Sequence, residues 1–257
     1  MRFRNTICLK SLAKYEYDLC VFIFSATNEV EKMDMVIRMP ALFISNPIEI
    51  DHRLSDLGWT RKEMLEIIDA MVSARYSCTE NDPTSAPGWM AWKEGTRRMR
   101  ELGRRHGFEN SDEDQIPWLC DTSRGRRFSV ANTNDATGHE HRLPQNRNRK
   151  GAATDRVVAE NEAMLFNEAE LPEMVKPLNV ARPNPGMVQS WYLCVNADGD
   201  SVTAELSCPV AIEGGYFVGF HERIVLIAPG EDGPDVTKLT DGDPGAEDFD
   251  IPVSKKS

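Results

Sequence analysis

Apolar residues recur along the chain with two spacings, every second position or every third to fourth, and the changes of spacing mark its elements. Leu19 to Ser25 has the β-branched and aromatic content of a buried strand. Met35 to Ser45 is similar, but Pro40 interrupts it and makes it an edge or bent strand. Asn46 to Gly58 reads as a connection. A helix then starts at Thr60, where Thr60 and Glu63 form a capping box. Met64, Ile67, Ile68 and Met71 give this helix one buried face, and it should end near Tyr76.

Thr79 to Gly88 holds two prolines and reads as a loop. A second helix is expected from Trp89 to Arg105, with Trp89, Trp92, Thr96 and Met99 turned inward. Glu94 with Arg98, and Glu101 with Arg105, are favourable i,i+4 pairs on it, and Lys93, Arg97, Arg100 and Arg104 form a basic column. Ile116 to Asp121 and Arg126 to Asn132 read as a hairpin turning at Gly125. Gly151 to Phe166 reads as a third helix, with Val157, Val158, Met164 and Leu165 inward, and Pro177 to Gly186 as a Pro-rich connection.

Strand periodicity is clearest towards the C-terminus. Val188 to Val195, Val202 to Cys208 and Tyr216 to Ile227 are strands separated by turns at Asn196–Asp200 and Gly214–Gly215, and Gly219 suggests a bulge. The alternation puts Val202, Ala204 and Leu206 on one face and turns Glu205 to the surface. The expected fold is therefore α+β: an antiparallel sheet, made of the hairpin and a three-stranded C-terminal meander, packed against about three helices. Residues 47–230 form one domain in this reading. Residues 1–46 are a poorly readable N-terminal segment, and 231–257 an acidic tail with little to bury.

Composition adds limits. Of 257 residues, 40% are hydrophobic, enough for a core. No apolar run approaches the roughly 18 residues of a membrane span, and Leu19 to Phe24 lacks the flanks of a signal peptide. The cysteines form no C-x-x-C pair, so buried free thiols in a reducing cytoplasm are expected. The net charge is −11, but residues 93–150 carry 13 basic against 9 acidic side chains. A basic centre in an acidic chain points to a local anion site and away from a protein that coats nucleic acid.

The centre of interest is Asn132 to Thr154, long and polar between the hairpin and the third helix. Arg147, Arg149 and Lys150 converge on the expected start of that helix, and Gly151 would let an anion approach the backbone. The spacing is not that of a P-loop, because Lys150 precedes the glycine. Arg126, Arg127 and Arg142 lie close enough in sequence to join. The bland alternative is a solvated loop whose Asn and Arg side chains hold its own turns. Asn132 to Gly138 resembles a chain of Asx turns, which folds a loop or offers oxygen ligands to a divalent metal. His139 and His141 form an H-x-H pair that could ligate a transition metal with a third ligand from His106, His221 or a carboxylate. Glu205 with His221 and Glu222 is a further candidate for metal or acid–base work, for which a surface role is preferred.

The leading expectation is a cytoplasmic binding protein, without a required cofactor, that engages a nucleic acid or nucleotide through Arg126, Arg127, Arg142, Arg147, Arg149, Lys150 and Gly151. One alternative is a metal-dependent phosphodiesterase or nuclease using His139 and His141. Another is a non-catalytic subunit of a larger assembly. The acidic tail would repel non-specific DNA or contact a protein partner, and no membrane is involved.

Overall fold

The computed structural model describes residues 41–169, 188–199 and 201–231. The expected strand at Leu19–Ser25, the Pro-rich connection, most of the N-terminal segment and nearly all of the acidic tail lie outside them, as do the side chains of Met164 and Leu165.

The described residues build one seven-stranded mixed sheet and four α-helices. In chain order these are β1 (Leu42–Ile44), α1 (Pro47–Asp56), α2 (Arg61–Tyr76), α3 (Ala86–Gly103), β2 (Glu109–Ser111), β3 (Trp118–Asp121), β4 (Arg126–Asn132), α4 (Ala152–Ala169), β5 (Gln189–Asp198), β6 (Ser201–Glu213) and β7 (Tyr216–Ile227). The strands run β1-β7-β6-β5-β4-β3-β2 across the sheet. The hairpin β3–β4 and the meander β5–β6–β7 are antiparallel as expected. The all-antiparallel sheet is not what forms: β4 joins β5 in parallel, and β1 joins β7 in parallel. Residues 133–188 carry the chain from the end of β4 back to the start of β5, the crossover that a parallel pair requires.

Helices α1 to α3 cover one face of the sheet. Trp191, Leu193 and Val195 of β5 and Ala204, Leu206 and Cys208 of β6 meet Ile50, Leu54, Met64, Ile67, Ile68 and Met71 there. The other face is covered by α4 and the central loop. Its core holds Trp118, Ala131, Tyr192, Cys194, Phe217 and Phe220 with Val157 and Val158 of α4. Asn161 fixes α4 to the sheet. Its side-chain amide donates to the Ser190 and Pro209 carbonyls at 2.9 and 2.8 Å, and its oxygen accepts the Ser190 amide at 2.8 Å.

Three local expectations change. Asn46 to Gly58 is not a connection: Asn46 caps α1 by accepting the amides of Ile48 and Glu49, Pro47 occupies the first turn, and Ile50 and Leu54 are buried one turn apart. Helix α3 begins earlier, and its inner face only partly matches the expected one. Met99 is buried and Trp92 packs against the core as expected, but Ala91, Gly95 and Leu102 share that face, whereas Trp89 is 56% exposed. The small residues win the inner face because α2 and α3 approach closely, so that a Cβ on Gly95 would lie 2.4 Å from Met71 Cγ. On its outer face Glu94 is engaged by Lys93 and Arg97, and Glu101 by Arg97 and Arg98, in place of the expected pairs. The capping box and the buried face of α2 are as expected. So is Gly125 at φ 61° in the β3–β4 turn.

Candidate functional site

The central loop folds down onto the sheet. Asn134 organises its first part as an Asx turn, its Oδ1 accepting the amides of Ala136 and Gln145 at 3.3 and 3.0 Å. Its middle is held from below by Glu205, which is not on the surface. Both faces of β6 are covered, and Glu205 is fully buried. Its carboxylate accepts Nε and Nη2 of Arg223 at 2.9 and 2.6 Å, the Ser207 hydroxyl at 2.6 Å and the Gly138 amide at 2.8 Å. Gly138 takes φ 78°, and a Cβ there would come 3.1 Å from the Ile227 carbonyl oxygen, so the latch needs glycine.

The last part of the loop rests on the β6–β7 turn. Asn146, itself buried, donates to the carbonyls of Asn148 and Gly215 at 2.7 and 2.8 Å and accepts the Phe217 amide at 3.0 Å. The Lys150 amide donates to the Gly215 carbonyl at 2.9 Å. Gly215, at φ 86°, leaves no room for a side chain: its Cβ would sit 2.8 Å from the Lys150 carbonyl oxygen.

The expected cations are spread over different surroundings. Arg126 is buried on the face of α1–α3, where Nη1 donates to the Asp56 carbonyl, and burial together with Arg53 and Arg124 lowers its pKa. Arg127 lies on the opposite face, bonded to Ser190 and Glu160 at 2.7 Å each and stacked over Trp118. Arg142 is half exposed and paired with Asp135 at 2.7 Å. Arg147 donates to the Thr133 carbonyl and to Asn196, both at 2.9 Å. Three cations of the basic column on α3 have acidic neighbours: Lys93 and Arg97 meet Glu94, and Arg100 meets Asp112.

Arg149 and Lys150 differ, because neither pairs with a carboxylate among the described residues. Arg149 donates Nε to the Gly214 carbonyl at 3.0 Å, and its guanidinium lies 5.9 Å from the Tyr216 ring centre. Lys150 is half-buried, with its ammonium 5.7 Å from the Tyr192 ring centre. Burial holds that ammonium below the usual lysine range. The Tyr192 hydroxyl is buried beside Thr154, in the first turn of α4, without a hydrogen bond of normal geometry. Burial pushes the Tyr192 hydroxyl and the Cys194 thiol far up, so both stay protonated. The amides of Gly151, Ala152 and Ala153 have no acceptor among the described residues, as befits the open end of a helix. Asp155, in the same turn, is exposed.

The metal expectation gains no geometry. His139 and His141 do not gather with a third ligand: no group of three His, Cys, Asp or Glu able to hold a metal ion occurs among the described residues. Glu222 and Glu205 lie on opposite faces of the sheet. Arg53 grips Glu222 from α1 with two bonds of 2.6 and 2.8 Å. A small cleft between α2, α3 and the ends of β4 and β5, lined by Met71, Ala91, Asn132, Arg147 and Ala197, has room for about one water. Tyr192, Tyr216 and Arg223 belong to no motif in the sequence, and Glu205 stands there as a surface residue. For Tyr192 the signal is that β5 is apolar at both odd and even positions, which marks a strand covered on both faces.

No helix among the described residues is long and apolar enough to cross a membrane. No family model matches the chain, and no curated protein or solved structure matches it.

Proposed function

We propose that this protein binds a phosphate-bearing ligand, a nucleotide or nucleic acid, at the N-terminal end of α4. The reading rests on donors near one place: the solvent-open amides of Gly151 to Ala153, which have no acceptor among the described residues, the Lys150 ammonium, which has no carboxylate partner among them, and the buried Tyr192 hydroxyl beside Thr154, which has no hydrogen bond of normal geometry. Here they surround the positive end of an 18-residue helix, where a phosphate gains from the dipole and the amides together. Arg149 adds forked donors at the rim. Arg127, Arg142 and Arg147 are held by protein acceptors and Arg126 lies on the opposite face of the sheet, so in this reading none of the four contacts the ligand. The four described cysteines are free thiols, which suits the cytoplasm. The acidic residues beyond 231 would keep nucleic acid from coating the rest of the surface, or meet a protein partner.

The test is a salt titration of binding to a 5′-phosphorylated oligonucleotide, comparing wild type with Arg149→Ala/Lys150→Met and with Arg147→Ala. The double variant is expected to bind at least about tenfold more weakly and to lose about 0.7–0.9 of log–log salt slope per phosphate contact removed. Arg147→Ala should keep the slope. An unchanged slope and affinity in the double variant, with an unchanged circular dichroism spectrum, would remove the reading and leave these cations a structural role.

A further inference from the structure

The geometry points to an unpaired nucleotide as the occupant of this site, its phosphate at the start of α4 and its base stacked on Tyr216 and Arg149. This inference rests on the phosphate reading above and adds what lies next to the phosphate. The β6–β7 turn and the end of the central loop are locked together at Gly215 and Lys150 by the 2.9 Å amide bond, by Asn146 and by the close approach that only glycine allows. Tyr216 follows Gly215, and Gly151 follows Lys150, so an aromatic ring and the first open amide each stand one residue from the same fixed contact.

The Tyr216 ring is half-buried and leaves surface for a ligand, in contrast to Tyr192, Phe217 and Phe220 of the adjacent core. Arg149 is tied by Nε to the Gly214 carbonyl, which holds its guanidinium against Tyr216 and leaves both terminal nitrogens without a partner among the described residues. A planar cation beside an aromatic ring accepts a nucleobase by stacking, whichever base it is. The phosphate end is marked independently by the buried Tyr192 hydroxyl, which lies beside Thr154 in the first turn of α4 without a hydrogen bond of normal geometry, and by the Lys150 ammonium against its ring. The bases of a duplex are stacked on one another, so only a free nucleotide or a single strand can present a base to Tyr216. Stacking brings no base-edge hydrogen bond, so little sequence preference follows.

The experiment is calorimetric titration with AMP, with ribose 5-phosphate, and with a short oligothymidylate as single strand and as duplex. The proteins are wild type, Tyr216→Leu and Tyr216→Phe. Wild type is expected to bind AMP about 5- to 150-fold tighter than ribose 5-phosphate, the increment of one stacked base. Tyr216→Leu should erase that advantage while ribose 5-phosphate still binds, which also reports the phosphate site. Tyr216→Phe should retain it. A single strand that outcompetes AMP assigns the strand as the source of the nucleotide, and equal affinity assigns the free nucleotide. Equal binding of AMP and ribose 5-phosphate by wild type, an advantage that survives Tyr216→Leu, or a preference for duplex would overturn the inference and leave the phosphate reading standing. Binding of none of the probes would overturn both.

Discussion

Glu205 and Arg223 form the most enclosed ion pair in the described protein, both about 1% exposed or less. Arg223→Met should lose about 3–5 kcal/mol, because it strands a buried carboxylate. Adding Glu205→Gln should recover part of that loss, since a neutral amide oxygen still accepts the Gly138 amide. Urea unfolding of the two single variants and the double gives the coupling, and strictly additive losses would mean that the pair is not a unit. Lys150 carries a prediction of opposite character. Its folded pKa is depressed by burial, so the unfolded chain binds more protons than the native protein between the folded value and the ordinary 10.5. Its burial therefore costs stability at neutral pH, and the cost fades as pH rises towards 10.5. Lys150→Met should raise the thermal midpoint at pH 7 by more than at pH 10, and an equal shift at both would show that the ammonium is not desolvated. Neither role was legible beforehand. Glu205 lies on the polar side of an alternating strand, and alternation identifies a face without showing what covers it.

The best-read element is the one whose signals are local. Helix α2 has its cap, its acidic first turn and its apolar stripe within one continuous stretch. Ile68→Ala should cost about 2–5 kcal/mol, as Ile68 is fully buried, and Thr60→Ala about 1 kcal/mol through the cap. Chemical denaturation would show a misassigned face if Ile68→Ala proved neutral. Helix α1 is hard to read from the sequence although Asn46-Pro47 carries a start signal, because its apolar stripe is only Ile50 and Leu54 wide. On α3, residue size is a poor guide to burial: Met99 and Trp92 turn inward as their spacing implies, but Trp89 does not. Trp89 rides outside over Lys93, while glycine and alanine face α2. The strands were found and their pairing was not: nothing within β4 or β5 distinguishes a parallel from an antiparallel neighbour until the path of residues 133–188 is known.

At the scale of the molecule, the excess of positive charge in residues 93–150 is real in sequence but dispersed in space, spent on carbonyls and carboxylates on both faces of the sheet. Linear charge density points to a local anion site, whereas the fold leaves only Arg149 and Lys150, near α4, as cations of the central loop without a carboxylate partner among the described residues. The parallel pairing of β1 with β7 has a consequence for the growing chain. Leu42 to Ile44 takes its ladder partners from Glu222 to Ile224, near the far end of the described sequence. On a ribosome, α1 to α3 and the β3–β4 hairpin emerge long before β7 exists. The first of the described strands is thus seated only after the last of them exists, and until then α1 lacks the Glu222 carboxylate that its Arg53 grips in the finished protein.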